Sequence, residues 1–196
     1  MKFKDLPNYI TYSRIVITFA LLVLLSDPTH INRIIAFSLI LLAAFSDFLD
    51  GFLARKYSLV SNHGKLLDPL TDKILVISVL IMFVELKRKE FGVITDQSYL
   101  PAWLVALFVI REIWVLGLRS IHALKDKALE ASQTAKWKTT LQMLSISLLV
   151  LGNFPVGTIS GYVVSFYTVG FYLLLLSLIF GIISAVAYTV EVFKEN

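Results

Sequence analysis

Six stretches of the chain, roughly residues 9–26, 33–55, 66–86, 101–123, 137–153 and 162–192, are apolar nearly end to end. Each approaches the about 20 residues that an α-helix needs to cross a bilayer. In hydrocarbon every backbone N–H and C=O must be paired inside the segment itself, so such stretches fold as helices. The expected fold is therefore all-α and membrane-integral, with six transmembrane helices and a single domain over residues 1–196. Composition agrees. Of the residues, 57% are hydrophobic and the mean hydropathy is +0.78, against roughly 45–50% apolar in a soluble domain. The breaks are chemical. Ser26-Asp27-Pro28 closes the first stretch, Lys87-Arg88-Lys89-Glu90 the third and Gly152-Asn153-Phe154-Pro155 the fifth, while Pro101 opens the fourth. The last is long enough to break near Gly181. Met1 to Asn8 reads as a short interfacial lead-in carrying Lys2 and Lys4, with no small-residue cleavage site after the first apolar run.

Six crossings put both termini on one side, and basic residues choose that side. With the N-terminus inside, the cytoplasmic segments hold Lys2, Lys4, Arg14, Arg55, Lys56, Lys65, Arg119, Lys125, Lys127, Lys136, Lys138 and Lys194. The opposite loops hold only Arg33, Lys87, Arg88 and Lys89, while Lys73 and Arg111 fall within helices. The expectation is a multi-pass protein of the cytoplasmic (inner) membrane with both termini inside. The chain has no cysteine, which excludes disulfides and thiolate chemistry. Nothing in the net charge of +4 points to a nucleic-acid partner.

Four aspartates interrupt this apolar background. The pattern is Asp47-x-x-Asp50-Gly51-x-x-Ala54-Arg55, then Gly64-x-x-x-Asp68-x-x-x-Asp72. A carboxylate at membrane depth is costly and needs a counter-charge. Asp47 and Asp50 share one face of a helix at i,i+3, and Asp68 and Asp72 share one at i,i+4. The polar segment between Arg55 and Lys65 is short enough to be a turn between antiparallel neighbours, which would bring the two pairs to one level at the cytoplasmic surface. Oxygen ligands with room for water and phosphate suit Mg²⁺ or Mn²⁺ rather than zinc. The plainer alternative is a set of acids paired with Arg55 and Lys73. Gly51, Ala54 and Gly64 argue against it, because small residues leave space for close approach of a backbone or a ligand.

The whole pattern from Asp47 to Asp72 resembles the signature of the CDP-alcohol phosphotransferases, with every specified position present. Leu6-Pro7-Asn8 with Thr11 and Arg14, Ile110-Arg111-Glu112-Ile113, Leu118-Arg119 and Lys136-x-Lys138-Thr139-Thr140-x-Gln142 resemble the members that use glycerol 3-phosphate. The likeness covers about residues 6–145, and the last span carries little of it. It implies a phosphatidyl transfer from CDP-diacylglycerol to glycerol 3-phosphate with release of CMP. It further implies two metal ions held by Asp47, Asp50, Asp68 and Asp72, with Asp72 also the general base. Asn8, Thr11, Gly51, Ala54, Arg55 and Ser61 would bind the CDP-lipid. A homodimer among membrane lipids is also implied.

A second constellation is basic. Arg111 lies well inside a span beside Glu112, where a charge needs a partner or a ligand. Arg119 follows eight residues later on roughly the same face. Together with Lys136, Lys138 and Thr139 these residues can form a fork for the phosphate of the acceptor. The competing reading for Arg111 is a structural pair with Glu112 or with an aspartate of the quartet. Lys125 and Lys127 read as topology charges. Asn8 and Thr11 fit helix capping as well as nucleotide contact. His63 reads as a loop histidine, and His30 and His122 as interface residues. Trp103, Trp114 and Trp137 read as membrane-belt or lipid-facing residues.

Three further readings bound the inference. The same chemistry could serve another acceptor: inositol phosphate, serine, an amino alcohol or a lipid. An ion pathway would need polar groups along several spans, whereas the acids here gather at one turn. A dead scaffold would lack a ligand or the base, and every one is present.

Overall fold

A computed structural model describes the backbone of residues 6–57, 62–90, 93–124, 133–159 and 162–194, and the side chains of 12–46, 70–71, 73–86, 98–120, 133–158 and 163–194. Within these, six helices occupy the six apolar stretches: α1 (Leu6–Ser26), α2 (His30–Tyr57), α3 (Asn62–Glu85), α4 (Ala102–Leu124), α5 (Gln133–Leu151) and α6 (Phe166–Lys194). Their ends follow local chemistry. Thr29 caps α2 by accepting Asn32 N–H on its hydroxyl at 3.2 Å. Ser165 caps α6 in the same way, accepting Thr168 N–H at 3.3 Å. Gly152 follows α5 with φ +73°, the left-handed conformation that glycine adopts just past a helix end.

Two departures from the expected fold are clear. The Lys87–Glu90 run is strand β1, paired antiparallel with β2 (Val93–Ser98). Beyond Gly152, β3 (Pro155–Ile159) pairs antiparallel with β4 (Tyr162–Ser165). Val93, Ile94 and Thr95 in one hairpin, and Val156, Thr158, Ile159, Val163 and Val164 in the other, are β-branched residues that favour extended backbone. The architecture is thus helical with two added hairpins. α6 also runs unbroken through Gly181, since the glycine there makes room for a neighbouring side chain rather than a kink. Among the described residues, α6 is the helix long and apolar enough to cross a membrane by length and composition.

The chain divides into two compact units. The first comprises residues 1–99 with 150–152, and in it α1 packs against both α2 and α3. Its core is three apolar stripes at helical spacing: Leu21 and Leu25 of α1, Ala36, Ile40 and Ala43 of α2, and Leu75, Val79 and Phe83 of α3, all buried. Arg33 fastens this unit at one end. It donates from Nε to Pro28 O at 3.2 Å and from Nη1 to Val150 O at 2.9 Å, and lies over the Tyr99 ring.

The second unit comprises residues 100–149 and 153–196. In it α4 and α6 run parallel, because Arg111 meets Gly181 and Arg119 meets Tyr188. α5 runs antiparallel to α6, because Lys138 lies near Gly181 and Ser145 near Gly170. Close packing depends on small residues. A Cβ on Gly170 would lie 3.0 Å from Leu149 N and 3.1 Å from Ser145 O.

Candidate functional site

In the first unit the three core stripes turn polar at the same end. On α2 the register of Ala36, Ile40 and Ala43 continues through Asp47, Asp50 and Ala54; on α3 the register of Leu75, Val79 and Phe83 runs back through Asp72 and Asp68. On α1 the row of Leu25 and Leu21 runs back through Thr18 and Arg14, both buried, to Thr11. The short α1–α2 connection makes those helices antiparallel, so the N-terminal end of α1 lies with the C-terminal end of α2. Helix is continuous through Asp47–Asp50 and Asp68–Asp72, so the i,i+3 and i,i+4 spacings of the sequence are real backbone registers.

The side chains of Asp47, Asp50, Asp68 and Asp72 lie outside the described residues, as do those of Asn8, Thr11, Gly51, Ala54, Arg55, His63 and Gly64. Ser61 lies outside the described backbone as well, and with it the turn expected between α2 and α3. The donor set fits a hard divalent cation: four carboxylates, no thiolate in the chain, and two helices that hold each pair in register. Among the described residues there is no competing cluster of metal-ligating side chains.

All five members of the basic constellation lie among the described side chains. Arg111 and Glu112 of α4 and Lys138 of α5 are 8%, 2% and 6% exposed and form one buried network. Glu112 Oε1 accepts from Arg111 Nη1 at 3.1 Å and from Lys138 Nζ. Arg111 is tied to α6 as well, donating from Nε to Gly181 O at 3.0 Å and from Nη2 to Ser184 Oγ at 2.5 Å. Ser184 donates its own hydroxyl to Gly181 O at 3.0 Å. Gly181 leaves room there: a Cβ would lie 3.3 Å from Arg111 Nε and 3.5 Å from Lys138 Cγ. The structure therefore contains the Arg111–Glu112 pair that sequence left as an alternative, and joins Lys138 to it. Removing one member of such a buried ionic set typically costs roughly 3–5 kcal/mol, because it strands the charge left behind.

The other basic candidates stand apart from this trio. Arg119 donates from Nη2 to the buried Tyr188 hydroxyl at 3.1 Å and lies 5.3 Å from its ring centroid. Lys136 and Thr139 are exposed on α5, and Thr139 Oγ1 bonds back to Ala135 O at 3.1 Å. Trp103, Trp114 and Trp137 are exposed, in keeping with a lipid-facing role, and so is His30; His122 lies outside the described side chains. Sequence reading missed the contribution of α6. Ser177, Gly181, Ser184 and Tyr188 fall at spacings of four, three and four on an otherwise apolar helix, which marks one polar face.

Residues 4–189 match the CDP-alcohol phosphatidyltransferase family. The chain belongs to that family. The match reaches well into α6, further than the 6–145 seen in the motifs, which accords with α6 supplying partners to Arg111 and Arg119. Among curated relatives, a CDP-diacylglycerol–glycerol-3-phosphate 3-phosphatidyltransferase of Rickettsia bellii is 39% identical over 150 residues, covering 76% of this chain and 77% of that protein. The Bacillus subtilis protein of the same name is 33% identical over 168 residues, 80% of this chain and 81% of the relative. The Mycoplasma genitalium one is 30% identical over 177 residues, 87% and 69% respectively. The family is one of divalent-metal-dependent enzymes.

Proposed function

We propose that the chain transfers the phosphatidyl group of CDP-diacylglycerol to glycerol 3-phosphate, yielding phosphatidylglycerophosphate and CMP. The observation that supports it best is that relatives from three bacterial lineages, each matched over most of its length, carry that one activity in their names. Asp47, Asp50, Asp68 and Asp72 would hold Mg²⁺ or Mn²⁺. When bound, two such ions supply charge neutralisation to the donor diphosphate. Arg55 adds a further cation for a donor phosphate, and Gly51 and Ala54 leave room for the cytidine. Ser61, Asn8 and Thr11 complete the nucleotide contacts.

Asp72 takes the proton from the acceptor hydroxyl. That oxygen bonds to the lipid-side phosphorus, the bond from this phosphorus to the bridging oxygen breaks, and the bridging oxygen leaves on CMP. Little covalent work falls to the protein in such a transfer, and positioning with charge neutralisation carries most of the rate. Arg111, Arg119, Lys136, Lys138 and Thr139 hold the acceptor phosphate. In this reading the six helices span the cytoplasmic membrane, the aspartate end and both termini face the cytoplasm, and the enzyme works as a homodimer among membrane lipids.

The test is an acceptor panel. Detergent-solubilised protein receives CDP-diacylglycerol, Mg²⁺ or Mn²⁺, and one of glycerol 3-phosphate, inositol phosphate, serine or ethanolamine, with CMP release followed. Glycerol 3-phosphate is expected to be turned over with the highest kcat/KM. A higher kcat/KM for any other acceptor overturns the reading.

A further inference from the structure

We propose that Glu112 is a positioning residue of the acceptor site, holding Arg111 of α4 and Lys138 of α5 as one anion-receiving pair. The proposal rests on the reading that Arg111 and Lys138 bind the acceptor phosphate, and adds to it the residue that sets them. One carboxylate oxygen, Glu112 Oε1, receives both cations, and the carboxylate is 2% exposed. Arg111 is fixed from a second side by α6. Gly181 O takes Arg111 Nε–H and the Ser184 hydroxyl together, while Ser184 Oγ accepts from Arg111 Nη2. This closed set of bonds engages three of the five guanidinium N–H groups. One N–H on each of Nη1 and Nη2 stays outside the set.

The arrangement differs from a simple buried pair. A buried ion pair is commonly replaceable by apolar residues without loss of stability. Here one carboxylate oxygen holds cations from two different helices side by side, the arrangement in which a guanidinium and an ammonium can meet one phosphate. Glu112 meanwhile keeps two mutually repelling cations in place before the ligand binds, which lowers the ordering cost of binding.

The opposing effect is that Glu112 itself repels a phosphate. The sign of the change in affinity therefore decides between positioning and simple repulsion. In CMP-release assays on the full-length protein, Glu112→Gln is expected to raise the apparent KM for glycerol 3-phosphate about ten-fold or more, as removal of an orienting partner does elsewhere. The KM for CDP-diacylglycerol is expected to stay within about two-fold. Glu112→Asp, which keeps the charge on a shorter stem, is expected to recover part of the loss. Ser184→Ala, which removes the α6 anchor without altering any charge, is expected to raise the same KM to a smaller extent, and it stands in should Glu112→Gln fail to fold. A lowered or unchanged acceptor KM in Glu112→Gln overturns the proposal, as does an unchanged one in Ser184→Ala if Glu112→Gln does not fold. Arg111→Ala separates the two layers. A raised acceptor KM in Arg111→Ala with no change in either other variant sinks the positioning role alone. An unchanged acceptor KM in Arg111→Ala removes the acceptor-site reading and the proposal with it.

Discussion

Asp72→Asn keeps the size of the side chain and one oxygen for a metal, and removes the ability to take a proton. If Asp72 is the base, this variant loses CMP release by about 10²–10⁴-fold while still retaining CDP-diacylglycerol on equilibrium binding. Turnover within a few-fold of the parent would remove that assignment. The residue scale also shows where reading a sequence stops. A charged side chain ten residues into an apolar helix had to have a partner, and Glu112 beside Arg111 was the obvious candidate. Nothing in the chain's order pointed to Gly181 and Ser184, about 70 residues further on, because hydrogen bonds to a carbonyl and a serine leave no charge pattern to find. Lys138 looked like one of several topology or phosphate lysines, and only the α4–α5 packing singles it out.

The helices were legible as elements because long apolar stretches between helix breakers favour helix, and some ends because Ser26-Asp27-Pro28, Pro101 and Gly152 interrupt it; the starts of α2 and α6, capped by Thr29 and Ser165, were not read. The hairpins were not. Lys87–Glu90 has the charge of a loop, and its strand character comes from pairing with Val93–Ser98, which no period within four residues can reveal. Close approach between helices was also hidden, since Gly170 reads as any glycine in an apolar run. Gly170→Ala tests its importance. The new methyl would meet backbone atoms of α5 at 3.0–3.1 Å, and backbone cannot step aside as a flexible side chain can. The Ser145 hydroxyl bond to Gly170 O, 2.7 Å long, would be disturbed too. Overpacking of this kind costs roughly 1–3 kcal/mol, so thermal unfolding of the solubilised protein is expected at a clearly lower midpoint than the parent. An unchanged midpoint would show that α5 and α6 do not pack so closely.

Across the whole molecule, two places set charge or polarity against otherwise apolar helices. One is the end of the first unit, where the stripes of α1, α2 and α3 pass from leucine and alanine to threonine, arginine and aspartate. The other is the interior of the second, where α4, α5 and α6 bury two cations on one carboxylate. For the first, spacing predicted that helix runs on through Asp47–Asp50 and Asp68–Asp72, and it does. The second needed three helices to be packed before its members could be named. Mn²⁺ binding followed by electron paramagnetic resonance in the presence of CDP-diacylglycerol tests directly whether the four aspartates hold divalent cations. The parent protein is expected to take up about two ions per chain, and a variant with Asp47, Asp50, Asp68 and Asp72 all changed to Asn is expected to take up none. Equal Mn²⁺ uptake by parent and variant would contradict it.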